Sequence, residues 1–288
     1  NYFISEYQKG RTPFPCLACN DRLKFDFLLK RAEFMKADYI ATGHYASIIK
    51  NNNEYKLIKG VDETKDQSYV LFNLTQSIMN KLKLPVGIFP KNEIRKIAED
   101  HNLINAKKPD SQDICFIPDG DYKKFINNKI DQNEGIIVDS KGNKLGDHSG
   151  IHNFTIGQRK GIGIESKGKP IFVTKIYPSK NIVEVGPSNE LMQRKAYISK
   201  VNIISKEDKI TNKEIFAKIR YKSTPAKGRL TLKNDRNAVF IFDEPQRAIT
   251  PGQALVFYND NEVIGGGFIE YEDSTLLKEK NKETVKSY

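Results

Sequence analysis

The chain has 288 residues, of which 38% are hydrophobic and 29% charged, a length for two or three domains and a composition that excludes a disordered polymer. Lys and Arg number 47 against 36 Asp and Glu, and the resulting charge of +11 suits a polyanionic partner, although basic proteins that bind no nucleic acid are common. No run approaches the ~20 apolar residues of a membrane span, and three cysteines are too few for a disulfide scaffold, which favours a reducing compartment.

The first residues, Asn1 to Glu6, show no basic-then-apolar leader pattern, and the chain opens on Asn1 rather than Met, so it is expected to be part of something longer. Leu23, Phe27, Leu28 and Phe34 fall at helical spacing and predict a helix over 21–38. Asp38 to Thr42 reads as a short strand running into Gly43-His44, the way α/β sheets present functional loops. Two strands flank the Asn51-Asn52-Asn53 turn between 45 and 59, and a helical pattern resumes from Ser68 to Leu82. Ile94, Ile97, Ala98 and Leu103 predict a helix over 91–103 with Lys91, Arg95 and Lys96 exposed.

After about residue 118 the texture changes. Short strand-like runs at 135–138, 170–176 and 181–185 alternate with Gly, Asn and Pro, and from 196 onward the pattern is nearly pure β: 197–204, 214–221, 227–232, 238–242, 254–258 and 263–269. Evenly spaced short strands predict a small barrel or sandwich. The Lys- and Glu-rich stretch 274–288 reads as a tail. An α/β piece over 1–118, a mixed α+β piece over 119–195 and a β module over 196–273 make three expected domains.

Cys16-Leu17-Ala18-Cys19 is a CxxC, which by itself fits a zinc site, a redox pair or small buried hydrophobes. Zinc lacks a second paired motif. Cys19, just before the expected helix and near Arg22 and Lys24, is placed where free N–H groups and positive charge favour a thiolate. Cys115 lies in a polar loop after Lys107 and Lys108, where a thiol is more reactive than in a core strand.

The stretch Thr12-Pro13-Phe14-Pro15-Cys16-Leu17-Ala18-Cys19-Asn20 resembles the cysteine loop of the tRNA-specific 2-thiouridylases. The resemblance continues in order through Ala41-Thr42-Gly43-His44-Tyr45, Lys65-Asp66-Gln67-Ser68-Tyr69 and Ser111-Gln112-Asp113-Ile114-Cys115-Phe116. Further on it takes in Phe154 to Gly161, then Arg220-Tyr221 and Thr250-Pro251-Gly252-Gln253-Ala254. Any one of these motifs is weak; together and in order they are specific.

The resemblance implies an α/β fold: part of a Rossmann-like PP-loop ATP pyrophosphatase domain, a central mixed domain and a C-terminal β-barrel. It implies a cytoplasmic enzyme that adenylates the C2 oxygen of the wobble uridine in tRNAs for Lys, Glu and Gln with ATP and Mg2+, then installs sulfur. Cys115 would carry the sulfur as a persulfide and Cys19 would resolve it, with sulfur supplied by a cysteine desulfurase or a relay protein. Phe14, Pro15 and Cys16 would touch the target base. Lys65, Asp66, Gln67, Arg220, Tyr221 and Gln253 would hold tRNA, Gly43 would contact ATP, and His44 would lie against the tRNA. No resident metal is expected.

Each of these positions has a plainer reading. His44 serves equally as a hydrogen-bonded structural residue, Asp66 as a cap, Arg220-Tyr221 as a strand end and Pro251-Gly252 as a turn. The glycines at 157, 161 and 163 lack the spacing of a dinucleotide site. The Ser-Gly-Gly-x-Asp-Ser phosphate loop of the family does not occur in the sequence, so the chain is expected not to adenylate tRNA unaided. Phe14 stands where the family more often has Asn, which exchanges a polar contact for stacking, and Cys16 is expected to be dispensable. Two rival readings remain: a non-catalytic RNA-binding protein, and a PP-loop enzyme modifying another tRNA base.

Overall fold

The computed structural model describes residues 2–108, 115, 117, 121–165, 168–205, 213–233 and 236–272. The tail expected over 274–288 and the motif residues Ser111 to Ile114 and Phe116 lie outside them.

The chain begins with α1 (Tyr2–Gln8), then a helical run made of α2 (Pro15–Ala18), a π-helical segment (Cys19–Phe27) and α3 (Leu28–Phe34). The run therefore starts earlier than the expected 21–38. Pro15 supplies a preset φ at its first position, and Phe14 before it is extended at φ −106° and ψ 100°. The periodic residues that predicted the helix do not enter a core: Leu23 is 62% exposed and Phe34 83%. The sheet beside them has only two strands among the described residues, β1 (Ile40–Ala41) and β4 (Leu82–Lys83), paired in parallel. So small a sheet cannot cover that face.

Between those strands come the hairpin β2 (Ala46–Asn51) and β3 (Glu54–Lys59), a 3-10 turn over Ser68–Leu71, and α4 (Gln76–Lys81), capped by the Thr75 hydroxyl, which accepts from the Ile78 N–H at 3.4 Å. The helical pattern read over 68–82 is thus broken in two. The turn sinks Ser68, Tyr69, Val70 and Leu71 into the interior, a burial that a single amphipathic helix does not give. The last helix of this part, α5 (Lys91–Asp100), buries none of its residues, so its apolar spacing marks a face that lies open.

The central part holds α6 (Tyr122–Asn127) and a sheet of β5 (Gly135–Val138), β6 (Lys144–His148), β7 (Phe172–Tyr177) and β8 (Ile182–Gly186) in the order β6-β5-β8-β7. Its core is Ile137, Val173, Val183 and neighbours. Phe3 and Tyr7 of α1 pack with Ile126 of α6, tying the two parts together.

The C-terminal strands are β9 (Met192–Ile203), β10 (Glu214–Lys218), β11 (Ala226–Leu232), β12 (Ala238–Arg247), β13 (Ala254–Asn259) and β14 (Glu262–Glu270). They pair in the order β13-β10-β11-β12-β9-β14, and β13 pairs with β14, closing a six-stranded barrel. Closure removes the exposed edges that a sandwich would have to protect. Inward-facing Phe240, Phe242, Phe257 and Ile198 fill it. The β2–β3 hairpin adds to the outer side of β14, with Val263 opposite Leu57, so a hairpin of the first part extends the barrel's own sheet. A core of Tyr69, Phe72 and Leu57 against Val256, Tyr258 and Val263 results from that join.

Candidate active site

The cysteine loop hangs from a segment clamped by all three parts of the chain. Arg11 pairs with Glu6 at 2.6 Å and with Glu270 of β14, whose carboxylate also takes the Ser199 hydroxyl. The Thr12 N–H donates to the Pro251 carbonyl at 2.9 Å, and the Thr12 carbonyl accepts from the Gln253 side-chain amide at 2.8 Å. The Thr12 hydroxyl donates to Thr155 of the central part at 3.1 Å. Gly252, at φ +92°, is needed here twice over. Its backbone lies in the left-handed region, and a Cβ would sit 2.9 Å from the Thr12 backbone.

Beyond Thr12 the loop enters the helical run, and the structure corrects the placing of the two CxxC thiols. Cys16, not Cys19, occupies the first turn. The Cys19 N–H is already bonded to the Pro15 and Cys16 carbonyls, so it offers no free donor to a thiolate. From Cys19 the helix widens to π geometry, a form that recurs at functional sites. Cys16 and Cys115 are exposed and Cys19 is half-buried. Protein crowding around the Cys16 sulfur pushes its thiol up, although the residue reaches solvent. The nearby Cys115 and Cys19 push it further, and Lys24 opposes them. The two cysteines assigned from the sequence, almost a hundred positions apart, thus both act on the Cys16 thiol.

Next to the loop is a buried polar knot. His44 is only 5% exposed. Its Nδ1 is 2.7 Å from the Thr42 hydroxyl, and its Nε2 lies 3.1 Å from Lys24 Nζ and 3.2 Å from Asn20 Oδ1. Burial first, then the Lys24 charge, hold the ring down at about 4, so it is neutral at physiological pH. Asn20 in turn donates to the Val70 carbonyl at 2.9 Å. This geometry matches the structural reading of His44, as a brace between the Gly43 loop and the cysteine helix. Gly43 itself follows β1 at the carboxyl end of a parallel strand. A Cβ built there meets nothing within 4 Å, so its backbone stands open to a ligand.

The barrel supplies an aromatic wall behind the loop. Phe14 stacks on Tyr221 with ring centroids 5.9 Å apart and planes at 24°, and Tyr69 meets both rings edge-on. Lys218 sits 6.0 Å from the Tyr69 and Tyr221 rings, its ammonium pushed down chiefly by burial. Arg220 is exposed and donates to the Arg247 carbonyl at 3.2 Å. Asp66 accepts from the Gly60 and Ser68 N–H groups at 3.0 Å, and Gln67 accepts from the Tyr45 N–H at 3.0 Å, so both side chains brace the 3-10 turn. Lys65 opens instead onto a basic cleft of about 410 Å3 shared with Lys91, Arg95 and Lys96 of α5. Pro15 opens the helical run directly after Phe14, the Tyr221 hydroxyl is pushed up by burial, then Asp66, then Cys16, and Gln253 is spent on Thr12.

Several residues of this arrangement were not singled out from the sequence. Tyr69 stands inside a quoted motif but reads there as a helix residue. Lys218 is a half-buried lysine at a strand end, and only burial distinguishes it from its neighbours. Asn20 and Thr12 flank the CxxC, and nothing in their residue type announces their contacts.

Three family models match the chain in succession: a tRNA methyl transferase HUP domain over residues 1–119, a tRNA methyl transferase PRC-barrel domain over 123–187, and an aminomethyltransferase beta-barrel domain over 193–269. The tRNA-specific 2-thiouridylase MnmA of Carboxydothermus hydrogenoformans is 44% identical over 274 residues, 94% of this chain and 75% of that protein. The protein of the same name from Caldicellulosiruptor saccharolyticus is 46% identical over 273 residues, 94% of this chain and 75% of its own length. That of Clostridium perfringens is 45% identical over 274 residues, 94% of this chain and 76% of its own.

Proposed function

This chain belongs to the tRNA-specific 2-thiouridylase family, and from that premise we propose how its residues carry the reaction. It is a sulfur-group transferase acting on tRNA. In our reading the substrate is the wobble uridine of the tRNAs for Lys, Glu and Gln. Gly43 is the residue that would face the nucleotide, and ATP with Mg2+, when bound, would turn the uridine C2 oxygen into a leaving group that departs as AMP.

Cys115 carries the sulfur as a persulfide received from a cysteine desulfurase or relay protein, and its exposure leaves it open to such a donor. The terminal sulfur goes to C2 of the base. The Cys19 thiolate takes the inner sulfur of Cys115 into a disulfide, so the electron pair of the broken S–S bond leaves with the transferred atom. This release either follows attack on C2 or precedes it as free sulfide. Phe14 and Tyr221 offer the flipped base a stacking surface, and Lys218 and Arg220 place positive charge beside it. His44, neutral and buried, holds the helix that bears Cys19. No helix among the described residues is long and apolar enough to cross a membrane, and the reducing cytoplasm is where we place the reaction.

The observation that carries this reading is the convergence of Cys16, Cys19 and Cys115 on one electrostatic neighbourhood beside that aromatic wall. Nucleoside analysis of tRNA from a deletion strain tests it. Loss of 2-thiouridine on deletion, restored by the native gene and not by Cys19→Ser or Cys115→Ser alleles, is expected. Full restoration by either serine allele would leave the thiols idle and favour an RNA-binding role. Loss of another modified base would favour the other tRNA-modifying reading.

A further inference from the structure

We propose that the loop running on from Gln158 through Gly161 and Gly163 is a phosphate cradle, which grips the sugar-phosphate backbone of the substrate tRNA away from the base that receives sulfur. This assignment rests on the tRNA reading above and adds a hold on the same substrate that the reading does not use.

The loop has a fixed shape. Gln158 accepts from the Thr155 N–H at 3.0 Å and donates to the Lys160 carbonyl at 3.0 Å and the Gly161 carbonyl at 3.3 Å. Ile162 is buried in the core of the central part, and Ile164 and Ile171 pack against that core, so alternate residues pin the loop inward. Gly161 and Gly163 between them are exposed, at φ +68° and +83°, in the left-handed region that favours glycine. A Cβ on Gly163 would meet nothing within 4 Å, so the backbone there stands open. The N–H groups of Gly161, Ile162 and Gly163 have no acceptor among the described residues. Turn backbone of this kind can aim successive N–H groups at one anion.

Cations converge on the same place. Arg159 and Lys169 line an open cavity of about 430 Å3 with these glycines, and Glu165 is the one carboxylate among the lining residues. Lys123 of α6 comes over the loop, its Nζ 3.7 Å from where a Cβ on Gly161 would stand. None of the three cations is held in an ion pair among the described residues. No aromatic ring lines the cavity, so a base would find nothing to stack on, whereas the phosphates of an RNA backbone need only the charge and the N–H groups. The loop is also joined to the reactive part of the molecule. The Thr155 hydroxyl meets that of Thr12, in the segment that leads into the cysteine loop. A backbone gripped here is therefore held in register with the thiols.

The test is filter binding of tRNA to the full chain from 50 to 200 mM salt. Arg159→Gln and Lys123→Gln should each flatten the slope of log binding constant against log salt by about 0.7–0.9, so that affinity falls about threefold less than in the wild type across that range. Arg159→Lys keeps the charge and should keep the wild-type slope. Gly163→Ala leaves every charge in place and strains only the loop. It should weaken binding roughly tenfold, the worth of one hydrogen bond to a charged group, at an unchanged slope. Lys141→Gln, in the turn between β5 and β6, should behave as the wild type. Wild-type slopes in Arg159→Gln and Lys123→Gln, with tRNA still bound, would overturn the cradle and leave the sulfur-transfer reading intact. Equal flattening by Lys141→Gln would mean a diffuse positive field and overturn it too. Loss of inorganic pyrophosphate binding in Arg159→Gln, without any change of tRNA slope, would give the loop to a free phosphate and overturn the RNA assignment. A wild-type chain that binds no tRNA at any salt concentration would overturn the cradle and the tRNA reading together.

Discussion

The Gln253 side chain donates to the Thr12 carbonyl at 2.8 Å, linking the turn before β13 to the segment that enters the cysteine loop 241 positions earlier. The reactive loop is therefore held by the far end of the chain. A tRNA contact at Gln253 would have to reach the substrate beside this bond or in place of it.

The clamp at Thr12 gives the first prediction. Gly252→Ala puts a Cβ 2.9 Å from the Thr12 backbone and forces an alanine to φ +92°, for a cost of about 1–3 kcal/mol. Gln253→Ala leaves the Thr12 carbonyl without that donor, for about 1–3 kcal/mol. Urea unfolding should show both losses. Both variants should also alter the rate at which N-ethylmaleimide modifies Cys16, because the loop loses its anchor. An unchanged alkylation rate alongside lowered stability would separate the clamp from the loop.

His44 sets a pH dependence. Its folded value of about 4 lies below its ordinary 6.5, so between those values the unfolded chain binds more protons than the folded one. The stability that follows from keeping this ring neutral is fully present above pH 6.5 and is lost as pH falls toward 4, by at most ~3 kcal/mol. His148 and His152 are also lowered by burial and slope the same way, so the informative quantity is the difference between wild type and His44→Gln. That difference should shrink steadily from pH 7 to pH 4.5 in chemical unfolding. A pH-independent difference would mean that the ring titrates alike in the folded and unfolded chain and that burial does not hold it down.

Much of this molecule is legible in the sequence, and the misreadings share one cause. All six barrel strands and the Asn51–Asn53 hairpin follow from local alternation and turn residues. Leu23, Phe27 and Phe34 fall at helical spacing and lie in the helical run, yet they are exposed, because periodicity reports amphipathicity and not what covers it. That β3 would pair with β14 across some two hundred positions leaves no local mark, and neither does the Phe14–Tyr221 stack. The cysteines were legible as residues, but which of them stands at the helix start was not. It depends on Pro15 opening the run six residues ahead of the expected start.

The aromatic wall gives the third prediction. Tyr221→Ala removes the ring under Phe14 and should weaken tRNA binding by about 1–3 kcal/mol, the usual value of one stacked base. Tyr221→Phe keeps the ring and should bind nearly as the wild type does. Filter binding at fixed salt compares them. Equal weakening in both variants would move the effect from the ring to the hydroxyl.

The basic cleft on α5 gives the last prediction, separable from the others by salt. Arg95 and Lys96 project from the helix beside Lys65 and Lys91, with Asp62 and Glu99 the acidic groups in the same lining. A cation that neutralises one tRNA phosphate contributes about 0.7–0.9 to the slope of log binding constant against log salt. Lys96→Gln should therefore lower affinity at low salt and flatten the slope by about that amount. Tyr221→Ala should instead lower affinity at every salt concentration with little change of slope, because stacking releases no counterions. Parallel slopes for Lys96→Gln and wild type would take the α5 cleft out of the tRNA path and leave its cations to the solvent. An altered slope for Tyr221→Ala would mean that the wall acts through the charge of Lys218 more than through its rings.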